Sequence, residues 1–497
     1  MSTATSSTVS TTQSPTPSQA PTAAPGRDHA PALERAFPDA FGEASYPLTE
    51  VTGTLPPALR GTYYVNGPAR FARGGQRYGH WLDGDGMVAA LALAGGRARL
   101  THRYVRSHKL AAEEGAGRAL FRAFGTGFEG DRLLHGLALA SPVNVSVHPY
   151  RGKLLAFGEQ GLPWELDPET LETRREHTFD GRLKAVTPFA AHPNFDAARG
   201  EMFNFGVSFS AASPSLNLYR FAAGGALVYR ARHRLPWPCS IHDFGLSERF
   251  AVFHVSPYVM DMAAFRAGGA TPMDCLRWRP ELGTALWVFA REDGRLLHRT
   301  PIGEGYCLHM VHCHEAADLL HVDVLEMEEP VYDQYALPDL FPDARLAAIR
   351  RYTVDPRHGD LVARTELECR QMIDFPALDP RSGLGPYDSF WVLGIGAAAS
   401  PGRKFFDRLL RYDRRQGGAA DRYQAPPGCY LGGEPVFLPD PGRPGRGYTL
   451  CQELDARRGI MRFLLFDAFE LAAGPLARLE LRAPIHLGFH ACWHPAA

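Results

Sequence analysis

Apolar positions along this chain fall in short runs rather than on the long 3.6-residue stripe of amphipathic helices. Lys153-Leu-Leu-Ala-Phe, Glu201-Met-Phe-Asn-Phe, Arg249-Phe-Ala-Val-Phe-His, Ala285-Leu-Trp-Val-Phe and Gly447-Tyr-Thr-Leu-Cys are each a strand's length. Turn signals such as Asp83-Gly84, Asp293-Gly294 and Pro441-Gly442 lie between such runs. Many short strands punctuated by turns predict an all-β architecture, a propeller or a large sandwich. No internal repeat is legible, so the pattern does not count blades. Helical stretches are expected only around residues 107–124 and 259–267, as insertions capping one face of the strand-built body.

Composition sharpens this in a few places. Fifty Gly and 40 Pro suit many tight turns. Residues 1–27 are almost wholly Ser, Thr, Ala, Pro and Gln, a mixture that cannot bury enough apolar surface to offset the entropy of ordering it. They are expected to be a disordered tail, and residues 31–497 a single domain. A net charge of −1 gives no general attraction to nucleic acid or to anionic membrane. The eight cysteines are scattered without a CxxC pair and read as reduced thiols. With no signal-peptide pattern and no apolar run of about 18 residues, the expected location is cytoplasmic. Any membrane contact would be apolar, and the mostly apolar stretch Ser256–Phe265 is where it is expected.

Histidines carry the candidate chemistry. His192, His242, His309 and His490 each sit at the edge of a strand-like run, about 50 to 180 residues apart. No local motif such as HExxH links them. Taken singly, each is more readily a hydrogen-bonded core histidine than a ligand. His309, His312 and His314 form one cluster, and His486, His490 and His494 another. In a strand, residues i and i+2 share a face, so His312 and His314 could share one that His309 does not. Periodicity leaves the choice within each cluster open.

Longer blocks of sequence carry a resemblance. Leu55-Pro-Pro-Ala-Leu-Arg-Gly-Thr-Tyr-Tyr-Val-Asn-Gly-Pro, His80-Trp-Leu-Asp-Gly-Asp-Gly-Met, the stretch from Lys153 through Glu159 to Thr173, Ala191-His-Pro-Asn-Phe-Asp, Ile241-His-Asp-Phe, Gly433-Glu-Pro-Val-Phe and Gly488-Phe-His resemble, in order, blocks of the carotenoid cleavage oxygenase family. The resemblance spans about residues 50–495. It implies a seven-bladed β-propeller with a cap of helices and loops over the face that carries a mononuclear non-haem iron, Fe(2+). Its ligands fall on His192, His242, His309 and His490, and carboxylates behind them on Glu159, Asp374 and Glu434. The implied pairs are Glu159 with His242, Asp374 with His309 and Glu434 with His490, leaving His192 without a carboxylate.

Two departures from the family pattern stand out. His309-Met-Val-His312-Cys313-His314-Glu315 replaces the usual His-x-x-Asn-Ala-x-Glu. Asp374 replaces the usual Glu and is one methylene shorter, so it needs either a backbone shift or a bridging water. Val145 falls where many relatives carry threonine and would border the open coordination positions. Four neutral imidazoles suit Fe(II) and leave its charge to be balanced one layer out.

The activity implied is oxidative cleavage of a carbon–carbon double bond by O2. A lipophilic polyene, a carotenoid or apocarotenoid, is the expected substrate, with stilbene cleavage as the alternative. Stilbene cleavers of the family hold a phenol with a lysine and a tyrosine. Those positions fall on Gly158 and near Leu100, and neither offers a polar anchor. An inactive propeller serving as a binding module would not need four histidines and three acidic partners. A zinc hydrolase fits four histidines less well, because catalytic zinc usually takes three protein ligands and a water.

Overall fold

The computed structural model describes residues 28–134, 139–369 and 371–496, and the tail predicted at 1–27 lies outside them. Seven antiparallel sheets, five of four strands and two of five, form the blades of a β-propeller. The strands nearest the axis are Ala491–Pro495 (blade 1), Ser146–Tyr150 (blade 2), Asn194–Asp196 (blade 3), Gly245–Leu246 (blade 4), Tyr306–Ala316 (blade 5), Met372–Leu378 (blade 6) and Cys429–Pro439 (blade 7).

The ring is closed twice. The C-terminal strand pairs with Gly61–Arg70 to become the innermost strand of blade 1. The second strand of the chain, Val51–Gly53, pairs with Ala477–Glu480 and forms the outer edge of blade 7. Closure of this kind ties both ends of the folded chain into the sheets and removes the seam where a ring of blades would open.

The runs seen in the sequence are the middle strands. Each blade packs on a neighbour through both faces, so Phe250–Val255 is buried at every residue and shows no alternation. Alternation survives at the rim. Leu227–Arg234, the outer strand of blade 3, alternates half-buried and exposed residues. Apolar layers fill the spaces between blades, for example Phe203, Phe205, Phe253 and Phe289 between blades 3 and 4.

Helices are few and short. The stretch expected to be helical over 107–124 is a helix only over His108–Ala116. Ser107 caps its start by accepting from Leu110 N, and Gly117 ends it at φ 64°. The stretch 256–265 is divided. Tyr258–Met260 pairs with Leu276–Trp278, with Tyr258 buried, and only then does the helix Met262–Ala267 begin, with no buried residue. Within 256–265 Tyr258 is buried, while Val259, Met260, Met262 and Phe265 are half-buried. Among the described residues no helix is long and apolar enough to cross a membrane.

Candidate metal centre

Three of the four histidines lie just ahead of an innermost strand. His192 precedes Asn194–Asp196, His242 precedes Gly245–Leu246, and His490 precedes Ala491–Pro495. The chain enters these strands from one end of the axis, which brings the three imidazoles together. His309 lies within the innermost strand of blade 5 and reaches the same point by a bulge. Cys307 pairs with Glu326 and Met310 with Val324, so Leu308 and His309 together oppose Leu325. A bulge of this kind re-aims a side chain that regular pleating would send elsewhere.

The imidazoles converge through Nε2. His192 and His242 are 2.9 Å apart at these atoms, His242 and His309 3.2 Å, and His309 and His490 3.2 Å. All four ligand atoms lie within 4.8 Å of one another. Two nitrogens bound about 2.1 Å from one metal at right angles stand about 3 Å apart, so the spacing fits adjacent corners of a coordination shell. Among the described residues no other group of histidines, cysteines and carboxylates is arranged this way.

His312 and His314 are not part of the cluster. They stack on each other with ring centroids 5.5 Å apart, and His312 Nε2 is bonded to Gly385 O at 2.8 Å.

Behind the histidines stand carboxylates, two of them also delivered by bulges. Asp374 Oδ1 is 2.5 Å from His309 Nδ1. Phe375 and Pro376 together oppose Val392, and Phe375 takes φ 59°, so the backbone swings Asp374 inward and makes up the missing methylene without a water. Glu434 Oε2 is 3.4 Å from His490 Nδ1 and accepts from Ala491 N at 3.1 Å. Gly433, Glu434 and Pro435 together oppose Cys451 in that strand. Glu159 Oε2 is 2.8 Å from His242 Nδ1 but lies off the N–H direction, and that nitrogen has no aligned hydrogen bond.

Electrostatics follow this order. Burial holds His192 well below the usual imidazole range, and the neighbouring histidines add to it. Burial also pushes His490 down to about 4, against the opposing pull of Glu434. For His309 burial acts the same way, but Asp374 outweighs it and the net shift is upward. Histidines held neutral by burial are ready to donate a lone pair.

Sequence reasoning missed two features. Asp243, next to His242, has Oδ1 3.8 Å from His192 Nδ1, too far for a hydrogen bond but the nearest acidic group to that ring. An aromatic shell also surrounds the cluster. Phe375 lies 5.6 Å from His309 and 5.3 Å from His490, and Tyr332 6.5 Å from His242, ring centre to ring centre. Phe489 stacks on Phe375, and Trp81 packs on Phe489 at 4.5 Å. These residues come from segments far apart in the chain, and no single window of sequence contains enough of them to show a pocket. Val145 sits beside the cluster, its carbonyl accepting from His490 N at 3.1 Å. Leu100 does not belong here. It is fully buried in the fourth strand outward of blade 1, so the lack of a phenol there says nothing about substrate. Gly158 is adjacent to the site, and a Cβ there would lie 2.1 Å from Ser141 Oγ, leaving no room for a lysine as the loop stands.

Comparison with known proteins agrees with this architecture. The family described as "Retinal pigment epithelial membrane protein" matches residues 38–495. Isoeugenol monooxygenase of Pseudomonas nitroreducens is 26% identical, aligned over 90% of this chain and 94% of its own length. Apocarotenoid-15,15'-oxygenase of Synechocystis is 27% identical over 91% and 94%. A solved tryptophan-to-alanine variant of the Synechocystis apocarotenoid oxygenase superposes with TM-score 0.85 at 25% identity, covering 94% of this chain and 98% of that one. The chain belongs to the retinal pigment epithelial membrane protein family, that of the carotenoid cleavage oxygenases.

Proposed function

We propose that His192, His242, His309 and His490 hold Fe(II), and that the enzyme uses O2 to cleave a carbon–carbon double bond of a carotenoid or apocarotenoid. The observation that carries this is the convergence of four Nε2 atoms, none of them bonded to a protein acceptor outside the cluster. When bound, the ferrous ion supplies the redox chemistry that lets O2 react with an alkene, one oxygen atom ending on each former alkene carbon as a carbonyl. Glu159, Asp374 and Glu434 orient His242, His309 and His490 from behind and balance the metal's charge. The aromatic shell of Phe375, Phe489, Trp81 and Tyr332 excludes water and offers apolar surface to a polyene, whose binding rests on burying area at about 25 cal/mol per Å².

A second reading is a phenolic aryl-alkene. It is supported by the near-equal similarity to isoeugenol monooxygenase and to the lignostilbene dioxygenase isozyme III of Sphingomonas paucimobilis, each 26% identical. Against it stands Gly158, which brings no cation to a phenolate. Leaving a buried hydroxyl unpaired costs about 1–3 kcal/mol, roughly ten- to a hundredfold in discrimination. The deciding experiment incubates the iron-loaded protein with apocarotenals, carotenoids, stilbenes and isoeugenol and identifies the carbonyl products. Faster turnover of any phenolic alkene than of every polyene would sink the first reading.

A further inference from the structure

We propose that Asp243 is a positioning residue that joins three ligand-bearing segments and serves as the carboxylate for His192. This rests on the four-histidine metal reading. Its side chain divides its two oxygens between two backbones. Oδ1 accepts from Phe244 N at 2.7 Å, closing the turn that carries His242 into blade 4. Oδ2 accepts from Met310 N at 2.8 Å, across the gap to blade 5. Met310 is the residue that ends the bulge holding His309, so its N–H is not spent on the regular ladder at the point where the strand departs from it. The same carboxylate presents Oδ1 at 3.8 Å from His192 Nδ1.

Each of the other three histidines has its own carboxylate from a different blade or loop. His192 has none at hydrogen-bonding distance, and Asp243 is the acidic group nearest to it. An anion at that distance favours positive charge on the far side of the ring, where the metal's charge reaches the imidazole. A second link joins the same blades. Asn194 Nδ2 donates to Phe244 O at 2.9 Å, tying the strand that follows His192 to the residue after Asp243. Three blades that share no sheet hydrogen bonds are thus locked in register at their inner ends through residues 243 and 244. Metal geometry depends on that register, because four ligands from four blades converge only if the blades hold still.

The test uses the full chain and two substitutions. Asp243→Asn keeps the shape but loses the charge and puts an amide N–H against one of the two backbone donors. Asp243→Ser keeps an acceptor for Phe244 N but cannot span to Met310, and it guards against an Asp243→Asn protein that fails to fold. The metal-free proteins are compared by amide hydrogen exchange over residues 306–316, and the metal-loaded ones by titration with cobalt(II) and its visible absorption bands. Expected are faster exchange at Met310, cobalt affinity lower by about 10–100-fold, and shifted bands in both variants. Wild-type exchange, affinity and bands in Asp243→Ser would overturn the role of Asp243 while leaving the metal site intact. If wild-type protein itself binds no cobalt at one per chain, the four-histidine reading fails instead, and the exchange at Met310 still decides whether Asp243 ties the two blades.

Discussion

Two buried clusters of histidine and carboxylate lie close together in this molecule, and they differ in what is left unbonded. The first comes from His80-Trp-Leu-Asp-Gly-Asp-Gly-Met, the most chemical-looking stretch of the sequence. His80 Nε2 is bonded to Tyr332 O at 2.8 Å, and its Nδ1 accepts from Leu82 N. Asp83 accepts from Gly125 N and Thr126 Oγ1, and Asp85 from Lys109 Nζ at 2.7 Å. Every one of these atoms is committed to holding the cap: the loop around 125, the segment around 332 and the helix His108–Ala116. The second cluster is the axial one, only one residue away, since the Tyr332 ring is 6.5 Å from His242. There each imidazole faces inward with an Nε2 that no carbonyl or carboxylate claims. What marks the ligands is that four such uncommitted nitrogens converge on one point, not burial, an acidic neighbour or a single free nitrogen, since the buried His486 also has ring nitrogens without a partner.

The largest effect that separates the clusters is expected from His309→Ala. It removes one of four donors and the partner of Asp374, so the purified protein should lack stoichiometric metal and form no product, while still melting cooperatively. Metal analysis and a thermal scan check this; full metal content in the variant would erase the distinction drawn between the two clusters. Next is Lys109→Met. Lys109 is buried with Asp85, Glu113 and the Tyr78 hydroxyl as partners, and its removal leaves two buried carboxylates to share the single cation of Arg73. The expected loss is about 3–5 kcal/mol of unfolding free energy in a denaturant titration. Protein that remains folded should still bind one metal per chain.

A smaller loss is expected from Asp374→Asn, about 10–100-fold in metal affinity or turnover, the usual cost of removing the acidic partner of a ligand. Asp374→Glu, which restores the family's usual residue, should not improve on the native protein. The bulge at Phe375 already brings the shorter carboxylate to 2.5 Å from the ring, and an added methylene has no space along that line. Improved metal affinity in Asp374→Glu would mean that the backbone relaxes more readily than the register suggests.

How much of this was legible beforehand differs by feature. The strand-rich body could be read from runs such as Phe250–Val255, because middle strands buried on both faces are continuously apolar. Blade number could not, since the blades share packing rather than a repeated sequence. The four histidines and three carboxylates were readable only through ordered blocks of family resemblance, as nothing in their spacing converges on a point. His309 shows why: strand alternation would have put it on a face by parity, and the bulge breaks that parity. Asp243 was in plain view beside His242, yet its role depends on an amide 67 residues away. Within 256–265, composition alone does not separate the strand Tyr258–Met260, where Tyr258 turns inward, from the helix Met262–Ala267, which buries no residue.

The smallest effect tests whether exposure ranks the three carboxylates. Their side chains are 1% exposed for Asp374, 18% for Glu434 and 36% for Glu159. Of the three only Asp374 makes a hydrogen bond to its histidine, at 2.5 Å; Glu434 stands 3.4 Å and Glu159 2.8 Å from theirs without one. A buried charge acts on its neighbour through a low local dielectric, whereas water both screens an exposed one and can take its place at the imidazole. Glu434→Gln should therefore cost less than Asp374→Asn, and Glu159→Gln least, about tenfold at most, the lower end of the usual range. Metal titrations of the three variants side by side give the ranking directly. If Glu159→Gln costs as much as Asp374→Asn, the Glu159 side chain closes over His242 when the metal binds, and its exposure here is not the exposure that matters.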